Sequence, residues 1–86
     1  MTQSASGHIV ALMAVADRRE RARSAFARRM WGDAFADLVA ARRERELDGE
    51  DLERLAVAAY MLDRDGDCEA AWVAAHRAWL ALGEPQ

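Results

Sequence analysis

The sequence predicts an all-α fold of two tandem helical hairpins, with about four helices in all. Alanine and arginine dominate the chain, both favour helices, and the single proline, Pro85, falls outside every helical stretch. β-branched residues are few and never alternate with polar residues as a half-buried strand requires. The third observation is an internal repeat whose unit is itself a pair of helices.

The repeat emerges when the chain is shifted against itself by 34 residues, which makes eleven positions identical across residues 22–50. The identical pairs are Ala22/Ala56, Ala25/Ala59, Gly32/Gly66, Asp33/Asp67, Ala36/Ala70, Val39/Val73, Ala40/Ala74, Ala41/Ala75, Arg43/Arg77, Gly49/Gly83 and Glu50/Glu84. The similar pairs are Phe26 with Tyr60, Ala34 with Cys68 and Leu38 with Trp72. A period of this length is typical of stacked helical units.

The helices are expected at about residues 8–30, 33–47, 50–63 and 67–82. The first is the longest, and it is either one helix or two pieces that break near Asp17. Gly32 and Gly66 are expected to end the first helix of each unit, because glycine adopts the left-handed conformation of a helix end. The aspartate after each glycine suits the start of the next helix, and Gly49 marks the break between units.

These elements form one predicted domain over residues 1–86, with an extension at 1–17 and hairpins at 18–49 and 50–83. Apolar residues recur at helical spacing and so predict the core. The predicted core residues are Ala34, Leu38, Ala41, Leu52, Leu55, Ala56, Ala59, Cys68 and Ala75. The rings of Phe26, Tyr60 and Trp72 are expected to fill the gaps between helices.

A 34-residue period of two helices resembles the tetratricopeptide repeat. The residues that match the family's signature are Ala22, Phe26, Ala34, Leu38 and Ala41 in the first unit, and Ala56, Tyr60, Cys68, Trp72 and Ala75 in the second. The likeness covers about residues 18–83. It implies a non-enzymatic protein–protein interaction module, a scaffold or adaptor, that binds peptides in a groove lined by the first helix of each unit.

The groove positions at which carboxylate-clamping members of that family carry lysine and asparagine hold Arg19, Arg23 and Arg54 here. The clamp itself is therefore absent, but arginine binds carboxylates through paired hydrogen bonds. These three arginines are the candidate partner groove. The alternative is a solvated arginine face.

A second resemblance concerns residues 51–62 and 75–78, which are similar to repeat regions of actinobacterial LuxR-type transcription regulators and of cyclase-linked regulators. It implies an alternative function: a regulatory subunit, linked to a transcription regulator or a cyclase, that senses a ligand or a partner. The helix-turn-helix domain of such regulators is not expected within these 86 residues.

Two repeat units leave apolar faces uncovered, because each unit buries its surface only against its neighbours. The candidate self-association surface comprises Ile9, Leu12, Met13, Trp72, Trp79, Leu80 and Leu82. Trp79 follows Trp72 by seven residues and therefore lies on nearly the same helix face. We expect a homodimer built from the N-terminal and last helices.

The net charge of −3 argues against a nucleic-acid partner drawn by bulk electrostatics. The charge is uneven: residues 17–29 carry an excess of four positive charges, and residues 48–69 an excess of six negative charges. One interpretation is that these patches steer the association of a protein partner or of a second copy of the chain. The alternative is that they are two solvated helix faces.

Neither an enzyme nor a cofactor or metal site is expected. The single cysteine, Cys68, takes a small-residue core position, and His8 and His76 have no catalytic neighbours in the sequence. Residues 63–67 resemble the start of a calcium loop but lack its later glycine and acid. The apolar run at 9–16 is too short to span a membrane and, without a preceding base, is not expected to be a signal peptide, so a cytoplasmic location is the default.

Overall fold

The computed structural model describes the backbone of residues 3–83 and, within that range, the side chains of residues 13, 14 and 16–83. The helices are α1 (Gln3–Ala27), α2 (Trp31–Glu44), α3 (Gly49–Met61) and α4 (Asp65–Ala81). Residues 3–83 contain no strand, so the predicted all-α fold of about four helices is confirmed. α1 runs past Asp17 without a break, which selects the single long helix from the two alternatives.

The helices pack as two hairpins, α1 against α2 and α3 against α4. α2 also contacts α3, and α1 contacts α3 through fewer residues, so the second hairpin stacks on the first. The main buried residues are Ala22, Ala34, Leu38, Ala41, Leu52, Leu55, Ala56, Ala59, Ala71 and Ala75. They include every predicted core residue except Cys68, which is half-buried. Because most of them are alanine, the helix backbones can approach closely.

The three aromatic rings expected between helices behave differently from one another. Phe26 is half-buried and stacks edge-on against Trp31, with ring centroids 5.2 Å apart. The prediction is wrong for Tyr60 and Trp72, which are 66% and 45% exposed. Their counterparts one repeat earlier, Phe26 and Leu38, are covered by the second hairpin. Within the described residues no further hairpin follows to cover Tyr60 and Trp72 in the same way.

The turn inside each hairpin has the same geometry, 34 residues apart. Arg29 and Asp63 both adopt a left-handed φ of 62°. In each case the amide of the next residue donates to a carbonyl of the preceding helix, that of Ala25 or Ala59, at 2.8 Å. This backbone hydrogen bond between residues five apart is the one that closes a helix at a left-handed residue, so the sequence repeat is also a repeat of backbone conformation.

The glycines are placed differently from the prediction. Gly32 and Gly66 do not end a helix but lie in the first turn of the next one. The left-handed position falls three residues earlier, on Arg29 and Asp63, where the helix-closing hydrogen bonds offset a conformational cost of about 1 kcal/mol. Gly49 begins α3, and a Cβ added to it would lie only 2.5 Å from the Trp79 ring, so close packing requires glycine there.

Candidate functional site

Three arginines from the two hairpins meet at one buried carboxylate. Arg19 and Arg23 on α1 and Arg54 on α3 all hydrogen-bond to Asp51, which lies in the first turn of α3. The Asp51 side chain is 0% exposed. We call these four residues the Asp51 cluster. The structure thus brings together the three arginines predicted as a partner groove, around an acid that the prediction did not include.

Asp51 is positioned by the N-terminus of its own helix. Asp48 is the N-cap residue of α3, and its Oδ1 accepts the backbone N–H of Asp51 at 2.9 Å. The other oxygen, Oδ2, accepts Arg19 Nη2 at 2.9 Å. On α1, Arg19 and Arg23 are four residues apart and so share one face of the helix. The cap therefore fixes both the acid and one of the arginines that reach it.

The contacts to Asp51 use both of its oxygens. Arg19 Nε donates to Oδ2 at 2.8 Å, and Arg54 Nη1 donates to Oδ1 at 2.8 Å. Arg23 is bidentate, with Nε to Oδ1 and Nη2 to Oδ2 both at 3.2 Å. Burial by itself would raise the pKa of Asp51, but the hydrogen bonds from Arg23 and Arg19 outweigh it and lower the pKa. The same hydrogen bond to Asp51 raises the pKa of Arg23, although burial opposes it.

The arginines of the Asp51 cluster remain partly exposed, but each donates at least one N–H group to the buried carboxylate of Asp51. Their three positive charges face the carboxylates of Asp51 and Asp48, and that of Glu50, which lies 4.0 Å from Arg54. The local charge is therefore balanced, and the cluster joins α1 of the first hairpin to α3 of the second. Its role as a partner groove stays a prediction.

A pocket of 350 Å³ with both apolar and charged walls adjoins the cluster at Arg54 and Glu50. Phe26, Val57 and Trp72 line it, so α1, α3 and α4 each contribute one apolar side chain. Glu53 also lines the pocket and accepts the indole N–H of a second tryptophan of α4 at 2.9 Å.

The residues predicted to self-associate are only partly on one surface. Those exposed are Trp72, Leu80 and Leu82 in the last helical segment and Met13 on α1. Trp79 is half-buried, because its ring covers Gly49 and its indole N–H donates to Glu53. The side chains of Ile9 and Leu12 lie outside the described residues.

The repeat explains why one side of α4 is open. On α2, Leu38 is 0% exposed and Val39 is half-buried, because both pack in the core that α2 shares with α3. Their counterparts 34 residues later, Trp72 and Val73, are 45% and 47% exposed. Leu80, seven residues after Val73, extends the same side of the helix. We call Trp72, Val73 and Leu80 the α4 face; the prediction missed Val73, although its pairing with Val39 pointed to it.

The remaining candidate residues, His76 and the calcium-loop-like segment 63–67, are not arranged as a catalytic or metal site in the described part of the chain. His76 is exposed, and Asp67 in the calcium-loop-like segment is ion-paired with Arg64 at 2.9 Å. Within the described residues, no three histidine, cysteine, aspartate or glutamate side chains are close enough to hold a metal ion. None of the helices, over the residues described, is long and apolar enough to cross a membrane.

No family model, curated protein or solved structure matches this chain. The likeness to the tetratricopeptide repeat consequently rests on the residues of the chain itself and stays a prediction.

Proposed function

We propose that the protein is a non-enzymatic protein–protein interaction module, a scaffold or adaptor like those of tetratricopeptide type, that self-associates as a homodimer through the α4 face. The observation that carries the proposal is the contrast between the two repeats. Leu38 is fully buried in the core that α2 shares with α3, whereas its counterpart Trp72 is 45% exposed, next to the exposed Val73 and about two turns before the exposed Leu80.

Exposed aromatic and aliphatic side chains grouped on one helix are typical of protein interfaces. Tryptophan in particular contributes more binding energy than other residue types when it is buried at the centre of an interface. In a stacked helical array this face is covered by the next unit. A partner that supplies a helix to α4 therefore completes the packing that α3 provides for α2.

A second copy of the chain is the partner that we propose, and its α4 pairs with α4 of the first copy. The reason is the difference between the exposed surfaces of α1 and α4. Leu52 and Leu55 on α3 share a core with α2, but their counterparts on α1 are Arg18 and Arg21, both ion-paired. Head-to-tail stacking would place the apolar α4 face against those charges. Two-fold pairing instead buries the apolar residues of both copies against each other.

Size-exclusion chromatography with light scattering at micromolar concentration tests the homodimer. The wild-type chain is expected at twice the monomer mass, and Val73→Glu and Leu80→Glu at the monomer mass, because each places a charge in the apolar contact. Met30→Glu is the matched control, since Met30 is 44% exposed but lies outside the α4 face. A monomeric wild-type chain, or dimers in both α4 variants, contradicts the proposal.

A further inference from the structure

A groove on another side of the molecule separates the second helices of the two hairpins. Within the described residues the backbones of α2 and α4 do not approach each other closely, because α3 lies between them. Two cavities of 250 Å³ and 480 Å³ lie along this α2–α4 groove, and Arg42 lines both. Leu55 lines the first cavity and Leu52 the second, so buried leucines of α3 contribute to both.

The walls of the groove combine apolar side chains with arginine. Phe35 and Val39 of α2 face Ala70 of α4 across the first cavity. The α4 wall consists largely of alanines, which leave room for another backbone to approach. The alanines of that wall are Ala70, Ala74, Ala78 and Ala81. Their spacing of three or four residues places them on one face of α4, which is the arrangement that lets a neighbouring helix lie along it.

The charge along the groove is positive on a chain whose net charge is −3. Arg42, Arg43 and Arg77 line it, and none of them is ion-paired within the described part of the chain. Of the two acids that line it, Asp67 is already neutralised by Arg64, which leaves Glu46. Three arginines against one glutamate therefore leave an excess of positive charge beside an apolar floor.

We propose that the α2–α4 groove binds a helical segment of a partner protein that carries aliphatic side chains on one face and glutamate or aspartate beside them. The aliphatic side chains enter the two cavities, and the carboxylates pair with Arg42, Arg43 and Arg77, because guanidinium groups bind carboxylates bidentately. The groove follows α4 from Asp67 to Ala81, about 21 Å at the rise of an α-helix, which matches a segment of about 14 residues.

This site is separate from the surface proposed for self-association. Ala74 of the groove points about 100° away from Val73 around α4, whereas Arg77 follows Val73 by four residues and therefore borders both surfaces. Arg42 and Arg43 lie on α2, so the α2 wall of the groove can be changed without altering the α4 face, and a failure of one proposal does not imply a failure of the other.

A phage-displayed library of random 16-residue peptides, selected on the intact chain, tests the groove. Peptides enriched in carboxylates and in aliphatic residues at helical spacing are expected. Fluorescence anisotropy of the best peptide is expected to show binding weakened about tenfold or more by Arg42→Glu and by Arg77→Glu, since each reverses a charge that the ligand contacts. Arg28→Glu, an exposed arginine that does not line the groove, is the control and should leave the affinity unchanged.

Trp72→Ala changes the α4 face five residues from Arg77 and on another side of the helix, so it should bind the peptide with wild-type affinity, which separates this site from self-association. Far-UV circular dichroism establishes that each variant is folded. Selected peptides without an acidic bias, equal binding by Arg42→Glu and Arg77→Glu, or no enrichment at all overturns the proposal.

Discussion

At the scale of single residues, Asp51 concentrates the polar contacts between the two hairpins. A carboxylate without solvent contact is costly by itself, because burial removes its hydration. It is tolerated here because three guanidinium groups donate to its two oxygens and replace that hydration with charged hydrogen bonds. Removing the acid leaves three guanidinium groups with only Asp48 and Glu50 to balance them, so the penalty of a change exceeds the worth of any one bond.

Asp51→Asn is expected to lower the free energy of unfolding by about 3 kcal/mol, since the amide keeps the size of the side chain but removes its charge. Urea unfolding followed by circular dichroism measures the change. Asp17→Asn is the matched control, because Asp17 is the counterpart one repeat earlier, is exposed, and pairs only with Arg21 in the described structure. Its effect is expected to stay within about 0.5 kcal/mol. Equal losses in the two variants would show that the Asp51 cluster does not stabilise the junction.

At the scale of elements, the positions of the helices could be predicted because the repeat aligns small residues at helical spacing in both hairpins. The exact helix ends could not. Arg29 carries no compositional signal for a left-handed conformation and Asp63 only a weak one, and in both the conformation is imposed by backbone hydrogen bonds to the preceding helix. The glycines three residues later attracted the prediction because glycine is the usual residue at such a position.

The candidate site could be predicted in part, for a related reason. The three arginines were found from their groove positions, but their buried partner was not. An acid in the first turn of a helix, such as Asp51, is already explained by the helix dipole, so nothing local to the sequence required its burial. Its burial follows from the way α1 lies across the start of α3, a tertiary contact that a repeat alignment does not contain.

The start of α3 is the element most sensitive to an added methyl group. Gly49→Ala favours the helix by propensity, but its Cβ would lie 2.5 Å from the Trp79 ring, which must then move away from its hydrogen bond to Glu53. We expect a net loss of about 1–2 kcal/mol in unfolding free energy, measured by thermal unfolding. A shift in tryptophan fluorescence should accompany it.

The controls for this change are the two repeat glycines of α2 and α4. Gly32→Ala and Gly66→Ala add a Cβ that meets nothing within 4 Å, so each should leave stability unchanged or raise it by up to about 1 kcal/mol. If Gly49→Ala is as stable as these two variants, the close approach of Trp79 does not constrain the helix start.

At the scale of the whole molecule, the chain is more extended than a sphere-like domain of its length. Its radius of gyration is 14.3 Å, against about 12 Å expected for 86 residues. The elongation follows from α1, which at 25 residues is far longer than its counterpart α3 at 13 residues. Alanine side chains are small, so an alanine-rich core in such a shape buries little apolar area per residue. The Asp51 cluster therefore contributes a larger share of the free energy of unfolding.

Acid should therefore weaken the whole fold through Asp51. Because the pKa of its carboxyl is lower in the folded chain than in the unfolded chain, the unfolded chain takes up the proton first as the pH falls. The stabilisation is complete above the unfolded pKa of about 4 and is lost as the pH falls toward the lower folded pKa. We expect the difference in unfolding free energy between wild type and Asp51→Asn to be constant from about pH 7 to about pH 5 and to shrink by about pH 3. Urea unfolding of both proteins at each pH measures this difference and cancels the other carboxyls, which the two proteins share. A difference that stays constant or widens in acid would mean that the charge of Asp51 does not stabilise the contact between the hairpins.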